Sequence, residues 1–405
     1  MNEPSAYDIR NKVLERINPC NDLSKSELYS LIDDVIYEDK IYNYLSFETV
    51  NSLRHQVYDS IYGLDVLQEY LDDDSISEIM VNGYDNIFIE RNGRIEKVCK
   101  HFDCPQKLID TIQHIVALAN RRINEAAPIT DSRLPDGSRV NIVLSPISID
   151  GPAITIRKFP NLSYTMDDLI SMGSISKEAA TLLQKLVVAG YNIFISGGTG
   201  SGKTTFLNIL SNFIPQDERI ITIEDSAELQ IKKIDNLIRL EARKANTEGN
   251  NEVSIAELIK SALRMRPDRI IVGEVRGFEV LSMLQAMNTG HDGSLSTGHA
   301  NSAKDMLTRL ETMVLSGANL PIGAIRGQIA SAIDVIIHLG RLSDRSRRVL
   351  EISEIVSFDG NEIVLNPLFI RNKDNTFTRT KNRLVNRRKA EFSGIELYEN
   401  EEVLL

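Results

Sequence analysis

The pattern of apolar positions divides the chain into stretches with different periods. From residue 1 to about 60, Leu23, Leu28, Leu31, Ile32, Val35 and Ile36 recur at near-helical spacing among acidic residues, which predicts a helical N-terminal segment over 1–60. Between 61 and 160 the pattern shortens. Glu78 to Gly83 and Ile87 to Glu90 read as strands. Arg91-Asn92-Gly93-Arg94 then turns into Ile95 to Val98, because Asn-Gly accepts the positive φ of a tight hairpin. After Pro105, Leu108, Ile112, Ile115, Val116 and Ala119 share one helix face. Asp136-Gly137 marks a turn before a strand at 140–144, and 153–159 forms another, so 61–160 reads as a small α/β domain.

Residues 161–176 read as a linker with short helices, with Gly173 near Pro160 to Ser174 as a hinge. From 177 to 345 helices alternate with apolar strands at 191–196, 220–224, 237–241, 269–273 and 335–339. Strands that are apolar almost throughout, separated by helices, belong to a parallel sheet covered on both faces. Ser254-Ile255-Ala256-Glu257 is a capping box that opens a helix ending before Pro267. Residues 346–405 read as a C-terminal strand and charged tail. The tail is basic at Arg379, Lys381, Arg383, Arg387, Arg388 and Lys389, then acidic at Glu396, Glu399, Glu401 and Glu402.

One motif carries the chemistry. Gly197-Gly198-Thr199-Gly200-Ser201-Gly202-Lys203-Thr204-Thr205 follows the strand at 191–196 and enters a helix, which is the phosphate-binding P-loop. Its glycines let backbone N–H groups point at phosphate oxygens, and the helix adds its positive end. Lys203 is expected on the β- and γ-phosphates of a nucleoside triphosphate and the Thr204 hydroxyl on Mg²⁺. Two further strands end in acids. Ile220 to Asp225 delivers Glu224, and Arg269 to Glu274 delivers Glu274 in the manner of a Walker-B carboxylate. Ligands of open α/β sheets bind beyond these strand ends, so one glutamate is read as polarising water while the other holds the metal. His291 and His299 lie in a glycine-rich segment, 289–300, with no zinc-type ligand set beside them; it reads as a turn region carrying a γ-phosphate sensor.

Composition narrows the picture. The chain has 405 residues, 42% of them hydrophobic and 25% charged, which suits a multidomain globular protein. A formal charge of -11 makes nucleic acid an unlikely partner for the whole surface. Three cysteines (Cys20, Cys99, Cys104) without a C-x-x-C pair suit a reducing compartment. The chain shows neither a signal-peptide pattern nor an apolar run long enough to span a bilayer, so a cytoplasmic protein is expected, meeting the membrane only through partners.

Together the motifs resemble the ATPases of type II and type IV secretion systems and type IV pili, and most of all the CpaF-like ATPases of Tad/Flp pilus assembly. The resemblance spans about residues 75–355. It rests on EIMVNG at 78–83, the segment 128–159, the P-loop, TIEDSAEL at 222–229, RPDRIIVGEVRG at 266–277 and TGHDGSLSTGHANS at 289–302. It implies a RecA-like ATPase domain behind a PAS-like α/β domain, assembled as a homohexamer at the cytoplasmic face of the membrane and driving an inner-membrane platform protein. It implies ATP as the nucleotide, Lys203 and Thr204 on phosphate and Mg²⁺, Glu224 and Glu274 as the acidic pair, and His299 with His291 as sensors; either acid can activate water, with Glu224 preferred there and Glu274 on the metal side. Arg133, Arg139 and Arg157 are then the N-terminal-domain cations that reach the nucleotide, a kind of contact worth about 10³–10⁵ in rate. The function implied is pilus assembly or protein secretion. Conjugative DNA transfer, or a helicase or P-loop switch, are the alternatives. A glycine, Gly273, precedes the Walker-B acid where an apolar residue is more usual.

Overall fold

The computed structural model describes residues 6–17, 25–38, 46–91, 93–118, 122–158, 164–243 and 252–398. Leu23, Cys20, Asn92, Ala119, Pro160, Glu399, Glu401 and Glu402 lie outside the described residues. The chain separates into two compact units, Met1–Ser163 and Tyr164–Leu405.

The first unit opens with three helices, α1 (Ala6–Arg16), α2 (Lys25–Glu38) and α3 (Phe47–Ile61). Ile9, Val13, Leu28, Ile32, Val35, Ile36 and Val57 meet in one core, so the near-helical period is the buried stripe of a small bundle. Ser46 caps α3 by accepting from the Thr49 amide at 3.2 Å. A short helix, α4 (Gln68–Asp72), leads into a six-stranded sheet. Its strands are β1 (Ile76–Asn82), β2 (Ile87–Arg91), β3 (Arg94–Lys97), β4 (Ile129–Arg133), β5 (Arg139–Val143) and β6 (Ala153–Arg157), in the order β3-β2-β1-β6-β5-β4. Every pairing is antiparallel. One face packs Ile79, Val81, Ile87, Ile89, Val140, Ile142, Ile154 and Ile156 against Leu108, Ile112, Ile115 and Val116 of α5 (Pro105–Leu118). Alternation along each strand leaves the other face polar.

The second unit is built on nine strands. These are β7 (Ile193–Gly197), β8 (Ile220–Glu224), β9 (Leu237–Glu241), β10 (Arg269–Val272), β11 (Leu295–Gly298), β12 (Val335–Arg341), β13 (Arg347–Phe358), β14 (Ile363–Arg371) and β15 (Phe377–Arg379). Their order is β15-β14-β13-β12-β7-β11-β10-β8-β9. The six from β12 to β9 are parallel, and β13 to β15 extend the sheet antiparallel. Helices α7 (Lys177–Val188) and α8 (Lys203–Ser211) cover one face. Helices α9 (Ile255–Ala262), α10 (Glu279–Met287), α11 (Ala303–Leu315) and α12 (Ile322–Ala332) cover the other. Strands β7, β8, β10 and β11 are buried at every position, as a strand sandwiched between two helix layers must be.

Three expectations change. The segment read as glycine-rich turns contains β11, a central strand between β7 and β10. A Cβ on Gly298 would lie 3.0 Å from the Phe194 ring and 3.1 Å from the Met306 side chain, so its small residues answer to crowding. The described part of the linker, 164–176, holds the expected short helix but packs it into the core of the second unit. Helix α6 (Met166–Ser171) sends Met166 and Leu169 into the same core as Ile175. Gly173 and Ser174 are tied down because Arg371 donates to both carbonyls, at 3.4 and 2.9 Å. Beyond 346 the chain is three sheet strands and a short helix, α13 (Arg388–Phe392), rather than a tail. Its basic stretch is engaged internally. Arg379 pairs with Glu178 at 3.0 Å, and Lys389 lies 2.7 Å from both Asp292 and Asp334. Arg379 and Arg387 sit over the Tyr398 ring.

Candidate functional site

The parallel strands all end at one edge, and there the P-loop leaves β7 for α8. Gly200 and Gly202 take φ of +69° and +95°, a region that side chains disfavour, so the turn of the loop requires glycine at both positions. A Cβ on Gly197 would lie 2.5 Å from the Leu339 carbonyl and 2.6 Å from the Ser201 hydroxyl, so that position admits only glycine. Ser201 closes the turn by donating to the Gly198 carbonyl at 2.9 Å. Lys203, the first residue of α8, is buried. Its ammonium donates to the Gly197 and Gly198 carbonyls at 3.2 and 3.0 Å. Burial holds its pKa below the ordinary lysine value, and Glu274 offsets part of this. Thr204 and Thr205 follow, half-buried, on the first turn of α8, while Thr199 is exposed at the loop tip.

From Lys203 a polar chain runs across the strand ends. Its Nζ lies 3.2 Å from Nδ1 of His299, directly after β11. Nε2 of His299 approaches Oε1 of Glu274 to 2.7 Å. The ammonium can only donate, so Nδ1 accepts and Nε2 carries the proton facing the carboxylate. Burial lowers the His299 pKa, with Glu274 acting in the opposite sense. Glu274 Oε2 accepts from Arg276 at 2.7 Å. The His299 approach is not aligned as a hydrogen bond, so Glu274 Oε1 still lacks a donor.

Glu224 ends β8 and is almost fully buried. Its Oε2 accepts from the Glu228 and Leu229 amides at 2.7 and 2.9 Å, while Oε1 has no partner. Burial pushes its pKa up to about 7, against the pull of the two amides. The unusual Gly273 now has a cause. A Cβ there would lie 2.9 Å from Glu224 Cγ, so the glycine makes room for the neighbouring acid.

Not every expected residue reaches this edge. His291 precedes β11, so it lies at the opposite edge of the sheet, where its Nδ1 is 3.2 Å from the Ala286 carbonyl. Its neighbourhood is structural: the Ser294 hydroxyl donates to its carbonyl at 2.8 Å. Within the first unit, Arg133, Arg139 and Arg157 fall opposite one another on β4, β5 and β6 and form one row on the sheet's polar face. Arg157 also lies 3.9 Å from Glu78. The pairing of Arg276 with Glu274 was missed from sequence, although an arginine two residues after a strand-end acid is the signal that would have found it.

Two carboxylate oxygens without donors, beside a glycine cradle and a buried ammonium, fit a magnesium-bound triphosphate and a water molecule. Burying a carboxylate oxygen with nothing to accept from is costly unless a ligand completes it.

The sheet with its P-loop and strand-end acids defines a P-loop ATPase unit of RecA-like fold. Residues 62–390 match the family described as "Type II/IV secretion system protein", and the chain belongs to that family. It is 34% identical over 304 residues to the putative conjugal transfer protein Rv3659c of Mycobacterium tuberculosis, covering 74% of this chain and 86% of that protein. It is 34% identical over 325 residues to the type IV secretion system protein PtlH of Bordetella pertussis, covering 71% of this chain and 93% of that one. Among solved structures, the Legionella pneumophila ATPase DotB aligns with a TM-score of 0.52 at 22% identity, over 73% of this chain and 81% of that one, and supports the fold. No helix among the described residues is long and apolar enough to cross a membrane.

Proposed function

We propose that the chain hydrolyses ATP with Mg²⁺ and uses the energy to drive a secretion or conjugal-transfer apparatus, as a homohexamer at the cytoplasmic face of the membrane acting on an inner-membrane platform protein. The observation that carries the chemistry is the chain Lys203–His299–Glu274 beside the donorless oxygen of Glu224. P-loop amides and Lys203 hold the phosphates, and Lys203 exchanges its two carbonyl partners for phosphate oxygens when nucleotide enters. The Thr204 hydroxyl and Glu274 would hold Mg²⁺, which neutralises phosphate charge when bound. Glu224, with a pKa near 7, takes a proton from water as its oxygen attacks the γ-phosphorus and the bond to ADP breaks. His299 couples phosphate occupancy at Lys203 to the carboxylate of Glu274. The arginine row of the first unit is the proposed source of further positive charge during turnover.

The names of relatives favour transfer or secretion as the process that is powered, since one is called a conjugal transfer protein and another a type IV secretion system protein. The internal pairing of Arg379 and Lys389 removes much of the support for a helicase. Lys203→Ala is expected to abolish ATP turnover and nucleotide affinity while the circular dichroism spectrum and oligomeric state stay as in the parent. Turnover at the parent rate would refute the assignment. Stimulation of ATPase activity by DNA alone, without membrane components, would return the helicase reading.

A further inference from the structure

The turn between β12 and β13 carries a feature that the P-loop chemistry does not use. Arg341 ends β12 and Arg347 begins β13, and the two are directly opposite in the antiparallel register. Opposed residues in such a pair project from the same face, and like charges there repel. Both side chains are exposed. Neither guanidinium makes a hydrogen bond or ion pair with another described residue. The acid in the turn, Asp344, turns one oxygen inward to accept from the Ser346 amide and hydroxyl at 2.8 and 2.6 Å and forms no ion pair with either arginine.

The placement is set by the sheet. Strand β12 pairs with β7 up to Leu339 opposite Gly197, two residues short of Arg341, so the hairpin emerges beside the P-loop. A Cβ on Gly200 would lie 3.8 Å from Nη1 of Arg341, and one on Gly202 would lie 3.6 Å from Cδ of Arg347. The root of the hairpin is held firmly. Ser174 donates to the Arg347 carbonyl at 2.9 Å and accepts from the Val349 amide at 3.0 Å. Two guanidiniums with no partner among the described residues, on side chains that share one face of the hairpin and run beside the two left-handed glycines of an anion cradle, form a site for an anion bearing several charges.

We propose that Arg341 and Arg347 clamp the phosphate chain of the bound nucleotide, as binding residues supplied by the same unit and acting apart from Lys203. This rests on the P-loop binding nucleotide, as proposed for the site itself. Planar guanidiniums grip phosphate oxygens in pairs, so the clamp adds affinity for di- and triphosphates rather than for the base.

The test is a calorimetric titration of the full chain with ADP, AMP and inorganic tripolyphosphate. Parent, Arg341→Gln, Arg347→Gln and the double variant are compared, with Lys203→Ala as control. Each single change is expected to weaken ADP about 10-fold and the double change about 30-fold or more, in line with the loss of charge-assisted hydrogen bonds. Tripolyphosphate should weaken in parallel and AMP by less than about 3-fold, the remainder expected for a contact confined to the phosphate chain. The ligand-free double variant should unfold at or above the parent temperature, because a repulsive pair has been removed. That readout separates a binding role from a structural one. Parent-like ADP and tripolyphosphate affinity in the double variant, with the parent binding normally, overturns the clamp alone. If the parent itself binds neither ligand, the nucleotide reading fails and the clamp fails with it.

Discussion

The two edges of the parallel sheet are built from similar residues and treat them differently. At the edge where strands begin, the buried arginine and asparagine find their partners within the protein. Arg269, 2% exposed, donates to Glu218 at 2.6 Å and to the Val187 carbonyl at 2.5 Å. Asn192 donates to the Ala332 carbonyl at 2.7 Å and accepts from the Ser294 amide at 3.0 Å. At the edge where strands end, Glu224 and Glu274 each keep an oxygen without a donor, and Lys203 rests on backbone carbonyls. His291 and His299 sit one strand apart on opposite sides of this divide. Arg269 and Asn192, paired within the protein at one edge, serve stability, and the donorless carboxylate oxygens at the other are capacity for a ligand.

The largest expected effect breaks the paired edge. Arg269→Ala strands Glu218 and empties the space that Gly293 leaves for the guanidinium, where a Cβ would lie 2.4 Å from Nη1. Chemical denaturation should show a loss of about 3 kcal/mol, the scale for breaking a buried ion pair, with nucleotide affinity kept in the protein that remains folded. A loss below about 0.5 kcal/mol, the level of an ordinary surface change, would remove the claim that this edge is structural.

Next come the two histidines. His299→Ala should lower kcat about 10²-fold, since it cuts the link between Lys203 and Glu274, while His291→Ala should stay within about 2-fold of the parent. Equal losses in steady-state assays would erase the contrast between the edges.

Much of this was legible in the chain and some was not, for physical reasons. The P-loop and strands β7, β8, β10 and β12 announce themselves because buried parallel strands are apolar almost throughout and the cradle demands glycine, while the edge strand β9 shows through Leu237, Ile238 and Leu240. Strand β11 reads Leu295-Ser296-Thr297-Gly298, and its identity depends on the bulk of Phe194 and Met306 across the sheet, which no local pattern reveals. Strand β4, Ile129–Arg133, is half-exposed and polar, so it lacks an apolar signature. The fate of the basic stretch depended on Glu178, Asp292 and Asp334, partners far away in sequence. Glu224 and Glu274 could be named from their strand ends, but the reason for Gly273 needed the neighbouring strand.

Gly273→Ala sharpens that last point. The added methyl must displace Glu224, so stability should fall by about 1–3 kcal/mol, and turnover should fall about 10-fold or more while ADP binding is kept. Parent-like turnover would mean that Glu224 is not held where it is needed.

The smallest effect concerns pH. The folded protein holds the Glu224 proton to about pH 7, whereas the unfolded chain releases it near the ordinary value of about 4.5. Its contribution to stability is therefore present at low pH, declines as pH rises through that window, and is lost above about 7. Glu224→Gln should flatten the decline and gain about 1–2 kcal/mol at pH 8 in urea titrations, a conservative share of the energy equivalent of the shift. An unchanged pH profile in the variant would show that burial does not burden this carboxyl.

The most direct measurement is a single-turnover reaction of Glu224→Gln with radiolabelled ATP and Mg²⁺. The account predicts that the variant binds ATP as the parent does and cleaves it about 10²–10⁴-fold more slowly, the range for losing a general base. Cleavage at the parent rate by a variant that binds ATP normally would contradict it.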